Sequence, residues 1–279
     1  MDKKINWFPG HMTKALREME EESKNVDMII YVIDSRAPKS CVNPEFIKII
    51  GNKPVLYVIN KSDLVDEIQL LPFINYFKKS NSDVILLNST KTGAIKQIEP
   101  IMVKLCKDKL DKYNQKGFKI NLRAMVLGVP NSGKSTLINN LCGSKKTITG
   151  NKAGVTRGKQ WIALKNGFEI LDTPGTLYPN IVDQKVALNL AFIGSIKNEV
   201  LDINELAIDF LNFCKKHYFN NLKEKYKIDD NNLSSLEMLD VIAKYKNYLL
   251  KGAEPDYDRT CMAIIDDFRK GKLGKIILD

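Results

Sequence analysis

Three short stretches of this 279-residue chain could bind a nucleotide's phosphates and their metal, and two others could read its base. Gly128-Val-Pro-Asn131-Ser132-Gly133-Lys134-Ser135 fits G-x-x-x-x-G-K-[ST], the phosphate-cradling loop. Glycines there let the backbone close around phosphate oxygens, so that the N–H groups of residues such as Asn131, Ser132, Gly133 and Thr136 can point inward. Lys134 would reach the β- and γ-phosphates and the Ser135 hydroxyl would hold Mg²⁺. Thirty-eight residues after Lys134 comes Asp172-Thr-Pro-Gly175. A carboxylate at Asp172 can hold Mg²⁺ through water, and the Gly175 N–H can meet the γ-phosphate. Alone, D-x-x-G is a weak signal, because Asp and Gly are common in turns. Between the two lies Gly154-Val-Thr156-Arg157. A Thr in a switch loop completes the Mg²⁺ shell while γ-phosphate is present, and an ordinary solvated loop is the plainer alternative.

The base-reading chemistry comes earlier in the chain. Asn60-Lys61-Ser62-Asp63 offers a carboxylate that can accept from guanine N1–H and the N2 amino group together. Adenine lacks that donor pair, and a buried acceptor left unpaired costs about 1–3 kcal/mol. The Lys61 stem can lie along the base. Ser89-Thr90-Lys91 would bring a backbone N–H to guanine O6. By itself N-K-x-D at a strand end reads equally well as an N-cap turn.

These loops need elements to hold them. Met28–Ile33, Pro54–Ile59, Val84–Leu87 and Ala124–Leu127 are apolar runs that predict buried strands, and Thr136–Leu141 predicts a helix after the phosphate loop. Gln160–Leu164 and Phe168–Leu171 flank Asn166-Gly167, a hairpin signal. Helical patterns lie between several strands, and Thr13–Lys24 reads as a further short helix. Alternation of this kind predicts an α/β fold with a largely parallel sheet covered on both faces. After about Pro179 the pattern changes. Val182–Ile196, Ile203–Phe219, Ser234–Leu250 and Asp256–Lys270 read as helices, with a capping box at Ser234 to Glu237. The expectation is an α/β domain over residues 1–179 and an all-α domain over 180–279.

Composition narrows the class. The longest apolar run, Met28–Ile33, is far too short for a bilayer span, and the N-terminus has no apolar signal core, which predicts a cytoplasmic protein. Five scattered cysteines, with no C-x-x-C pair, argue against a disulfide framework or a zinc site. Net charge is +10, and residues 1–179 carry all of the excess, with 28 basic and 17 acidic residues. Residues 104–123 hold seven basic residues against Asp108 and Asp111, and residues 143–168 hold six with no acid. Such surfaces suit a phosphate backbone such as RNA, although a merely solvated basic face is the simpler alternative.

The five elements resemble the signatures of Ras-like GTPases, but in rotated order, with the base-reading pair first and the phosphate-reading trio second. That order resembles the circularly permuted P-loop GTPases. Along essentially its full length the chain is similar to the bacterial ribosome biogenesis GTPase A family, also called YlqF. The matching residues include Asn6-Trp7-Phe8-Pro9-Gly10-His11-Met12, Asp34-Ser-Arg36-Ala-Pro38 with Asn43-Pro44, and the tail Asp266 to Gly274. The resemblance implies a GTP-hydrolysing assembly factor for the large ribosomal subunit, bound to its precursor and to ribosomal RNA. A nucleotide-switched GTPase acting on another RNA target is the alternative. The resemblance also assigns His11 to catalysis on the ribosome, with Lys134 and Thr156, and gives Asn131 a possible role in holding K⁺. Where Ras uses a Gln after D-x-x-G to orient water, this chain has Thr176 and then Leu177, so hydrolysis by the chain alone should be slow. The zinc modules of related permuted GTPases are missing from the sequence. So is the lipidation signal of a trafficking GTPase. An RNA-binding scaffold with a relic pocket would not need the intact phosphate and base motifs.

Overall fold

The computed structural model describes residues 8–143, 160–164, 167–179 and 181–279. Thr156, its Gly154–Arg157 segment, Asn6, Trp7 and most of the basic 143–168 stretch therefore lie outside the described residues.

Among the described residues six strands form one sheet: β1 (Met28–Asp34), β2 (Val55–Asn60), β3 (Ser82–Leu87), β4 (Leu122–Leu127), β5 (Gln160–Ala163) and β6 (Phe168–Asp172). Their order is β3-β2-β1-β4-β6-β5, and every pairing is parallel except β5 with β6. The helices α1 (Gly10–Ser23), α2 (Pro44–Ile50), α3 (Glu67–Phe77), α4 (Ala94–Leu105), α5 (Lys107–Asn114) and α6 (Lys134–Cys142) accompany the strands.

All seven residues of β1 are buried, as expected for a central strand covered on both sides. Its side chains alternate between two apolar clusters. Met28, Ile30 and Val32 pack with Ile98 and Met102 of α4 and Leu137 and Ile138 of α6. Ile29, Tyr31 and Ile33 face the other cluster, with Met12 and Met19 of α1 and Phe46 of α2.

That second cluster does not stop at the sheet. It continues through α7 (Gln184–Phe192), α8 (Ile203–His217), α9 (Phe219–Tyr226), α10 (Ser235–Tyr245) and α11 (Tyr257–Arg269) to Leu278. The described elements after β6 are helices, and the apolar packing runs from the sheet into them without a break. Three predicted helices are shorter than expected: Val182–Ile196 is helical only over Gln184–Phe192, with Gly194 turning left-handed beyond it at φ 80°, and two others stop early. One of these breaks at Tyr218, after which α9 begins. The other ends at Tyr245, because Asn247 turns left-handed at φ 55°. The Ser234–Glu237 capping box is present.

The sheet register fixes the site. Asp34 lies opposite Asn60, Asn60 opposite Leu87, and Val126 opposite Asp172. The loops that leave these strands all emerge at one edge of the sheet. The strand order reverses between β1 and β4, and ligands of parallel sheets sit at such a switch point, beyond the carboxyl ends of the strands.

Candidate nucleotide site

The loop after β4 runs from Gly128 into α6, whose first residue is Lys134. Gly133 is left-handed, at φ 99°, and a Cβ there would sit 2.1 Å from Asn60 Nδ2. Gly175 approaches the same loop from the other side. A Cβ on it would lie 2.7 Å from both Lys134 Nζ and Pro130 Cα. Asn131 also takes a left-handed conformation, φ 60°, which Asn tolerates better than most residues.

The two halves of the predicted site meet through side chains. Asn60 Nδ2 donates to Ser132 O at 2.9 Å, while Asn60 Oδ1 accepts from Ser89 N at 3.0 Å and Ser89 Oγ at 2.7 Å. One carboxamide thus joins the N-K-x-D loop, the Ser89 loop and the phosphate loop. Lys61 Nζ donates to Asn131 O at 2.8 Å. On the far side, Asn140 of α6 donates to Ser89 O at 3.0 Å and also to Lys91 O. Thr90 folds back on Asn88 Oδ1 and, with Lys91, is exposed at the rim, as is Asp63.

The phosphate side holds buried polar groups without hydrogen-bond partners among the described residues. They are Ser132 Oγ, both oxygens of Asp172, and Thr176 Oγ1. Folded proteins seldom leave such groups unsatisfied. Among the described residues Lys134 Nζ bonds main-chain oxygens, Gly128 O and Val129 O, each at 3.0 Å. Burial lowers the Lys134 pKa to about 8, and burial raises that of Asp172 to about 6, each partly offset by attraction to the other. A buried cation beside a buried, unpaired carboxylate, within a glycine-lined cradle, suits a phosphate with its Mg²⁺. Ser135 stands in the first turn of α6, on the same cradle.

His11 lies exposed in the first turn of α1. The next residue, Met12, is buried, and its sulfur accepts from Leu177 N at 3.5 Å. The start of α1 is therefore seated on the segment that follows D-x-x-G. His217, the other histidine, is exposed on α8 with its ring 5.0 Å from that of Phe213, far in sequence from every loop of the site.

The sequence reading missed an ionic cluster beneath the base-reading loop. Asp34 is fully buried, and accepts from Arg36 Nη2 at 2.8 Å and from Lys61 Nζ at 2.7 Å. Burial alone would push the Asp34 carboxyl up, but the two cations more than offset this and hold it well below the usual carboxylate range. The available signal was a charged pair, Asp34 and Arg36, directly after six apolar residues.

A parallel sheet with a phosphate loop after β4 and a guanine-reading motif after the earlier β2 defines a circularly permuted P-loop GTPase with a helical C-terminal region. Similar proteins bear this out. A family described as "50S ribosome-binding GTPase" matches residues 123–246. The "Ribosome biogenesis GTPase A" of Bacillus cereus is 40% identical over 99% of this chain and 93% of its own length. Two YlqF structures also match. One is GDP-bound, with TM-score 0.64, 27% identity and coverage of 94% of this chain and 98% of that one. The other, GNP-bound and from T. maritima, has TM-score 0.65 and 27% identity, covering 95% and 97%. The chain belongs to the ribosome biogenesis GTPase A family.

Proposed function

We propose that this GTPase works as a nucleotide-dependent assembly factor on a precursor of the large ribosomal subunit, which stimulates its otherwise slow hydrolysis of GTP. The observation that carries the nucleotide part is the Asn60 carboxamide bridging Ser132 and Ser89. It welds a purine-reading loop to a phosphate-reading loop.

In this reading Asp63 accepts from guanine N1–H and N2, Lys61 flanks the base, and the N–H groups of the Ser89-Thr90-Lys91 loop face O6. Asn131, Ser132, Gly133, Lys134, Ser135 and Thr136 wrap the phosphates, with Gly175 at the γ position. Ser135, Asp172 and Thr156 would hold Mg²⁺, which when bound offsets the charge that builds on the phosphate oxygens. Lys134, relieved of its main-chain partners, adds a second positive group there. Thr176 cannot both accept from a water and donate to phosphate as a Gln does. His11 would supply the missing group on the ribosome, a role supported by the contact of its neighbour Met12 with Leu177 N just after D-x-x-G. Asn131 would add K⁺ sensitivity, because a monovalent cation beside its side-chain oxygen neutralises phosphate charge.

The ribosomal target rests on the relatives' names and on charge. Lys107, Lys112, Lys116 and Lys119 are exposed on α5 and the segment leading to β4, beside exposed Phe118 and an Arg123–Trp161 stack at 5.1 Å. Cations interleaved with aromatic faces suit RNA phosphates and bases. This face lies at the start of β4, the end of the sheet away from the nucleotide loops. Cytoplasmic placement follows from such a target; among the described residues no helix is long and apolar enough to cross a membrane.

Sedimentation of cell extract with GDP or a non-hydrolysable GTP analogue tests this reading. The protein should travel with large-subunit precursors when the analogue is present and leave them with GDP. Travel with a different RNA-containing particle would favour another RNA target, and travel with none would overturn the ribosomal role.

A further inference from the structure

The ionic cluster at Asp34 is one arc of a closed ring of polar contacts that joins the nucleotide loops to the C-terminal helices. Asp34 Oδ1 accepts from Arg36 N at 3.1 Å and Arg36 Nε at 2.9 Å. Its Oδ2 accepts from Arg36 Nη2 at 2.8 Å and Lys61 Nζ at 2.7 Å. Lys61 spends its other contact on the phosphate loop, at Asn131 O.

From Asn131 the ring passes into the helical region. Asn131 Nδ2 donates to Gly194 O at 2.6 Å, and next to it Ser195 Oγ donates to Pro130 O at 2.7 Å. Gly194 and Ser195 follow α7 after its cap residue, Ile193. The last carbonyls of α7 accept from Arg269, Ala191 O from Nη2 at 2.7 Å and Phe192 O from Nε at 3.0 Å. Arg269 ends α11, and the final carbonyls of that helix close the ring. Arg36 Nη1 donates to Phe268 O at 3.3 Å and to Arg269 O at 3.2 Å.

The chemistry suits a rigid link. Each helix end leaves carbonyls without intrahelical partners and carries partial negative charge, so a guanidinium there is favourable. Arg36 uses its planar fork on one carboxylate and still reaches two carbonyls, which a lysine could not do. The α7 turn has little slack, because a Cβ on Gly194, whose φ is 80°, would lie 3.2 Å from Arg269 Nε. Ser195, Arg36 and Asp34 are all buried, so water does not compete for these bonds.

We propose that Asp34 and Arg36 are positioning residues for guanine nucleotide, and that through this ring the helical region sets how firmly the phosphate loop holds it. The proposal rests on the reading that residues 60–63 and 128–135 form one nucleotide pocket. Docked helices hold Pro130 and Asn131 from one side while Lys61, oriented by Asp34, holds Asn131 from the other. Loosening either side frees the loop and speeds nucleotide release.

The test measures GDP dissociation from the full-length protein, using a fluorescent GDP analogue, alongside thermal unfolding of the nucleotide-free chain. Ser195→Ala removes one hydroxyl bond to the loop and should raise the release rate about two- to tenfold, the usual worth of one hydrogen bond. Asp34→Asn should raise it further. The double variant should release GDP at less than the product of the two effects, as residues of one network do. A residue with only a structural role would lower the melting temperature and leave release unchanged. Wild-type release rates in Ser195→Ala would therefore overturn the proposal, even if Asp34→Asn failed to fold. Multiplicative effects in the double variant would overturn the single ring. Failure of the wild-type protein to bind GDP would instead sink the pocket reading beneath it.

Discussion

Lys134 and Asp172, in the roles proposed for them, set what a bound nucleotide would have to supply. Burial depresses the Lys134 pKa to about 8 and lifts that of Asp172 to about 6. A depressed lysine contributes stability above its unfolded pKa, and that contribution is lost as pH falls through about 8. A raised carboxyl contributes stability below its unfolded pKa, lost as pH rises through about 6. Between about pH 6 and 8 the two buried side chains therefore both bear charge at a cost, which a phosphate with Mg²⁺ would relieve. Thermal stabilisation by Mg²⁺ with GDP should accordingly be greatest in that window and shrink on either side, read as melting temperature across pH. The Asp172→Asn variant serves as control, because the terminal phosphate itself titrates in the acid range. If stabilisation is flat from pH 5 to 9, the roles given to these two groups are wrong. A second substitution acts at Gly133. A methyl there would displace the Asn60 carboxamide from 2.1 Å away. Gly133→Ala should weaken GDP binding at least tenfold by equilibrium titration, and unchanged affinity would remove Asn60 as the weld between the loops.

At the scale of elements, the loops were legible because their chemistry is local. A glycine-rich turn between a strand and a helix, or an Asp at a strand end, needs few distant partners to take shape. The same holds for the Ser234 capping box, where Ser234→Ala should cost about 1 kcal/mol in denaturant unfolding without altering nucleotide affinity. The ring through Asp34, Arg36, Asn131 and Arg269 was not legible. Arg36 meets Phe268 across 232 residues, and no pattern within either segment announces the other. Helix ends were misjudged for a related reason. The apolar pattern runs on through Tyr218 and, past Asn247, to Leu250, but Tyr218 and Asn247 each take a backbone conformation that stops the helix. The basic stretch 104–123 was visible as charge, while its place at the far end of the sheet from the nucleotide required the strand register.

For the molecule as a whole, rotated order changes what the γ-phosphate-facing segment is tied to. Asp172 to Gly175 leads within a few residues to α7, and one apolar cluster continues from the sheet to Leu278. Nucleotide state should therefore be felt in the helices. Hydrogen exchange over residues 176–200 is expected to differ between GDP and a GTP analogue, and superimposable profiles would contradict this. Every role proposed for these loops requires a single purine and phosphate pocket built from residues 60–91, 128–135 and 172–175. Its most direct test is a titration of wild-type and Asp63→Asn protein with GDP, ADP and xanthosine diphosphate. An amide at position 63 can donate to the xanthine 2-oxo group but no longer accepts the guanine donor pair. The wild type should bind GDP alone, and the variant should lose GDP and gain the xanthine nucleotide. GDP affinity that survives the substitution unchanged would contradict the pocket as drawn.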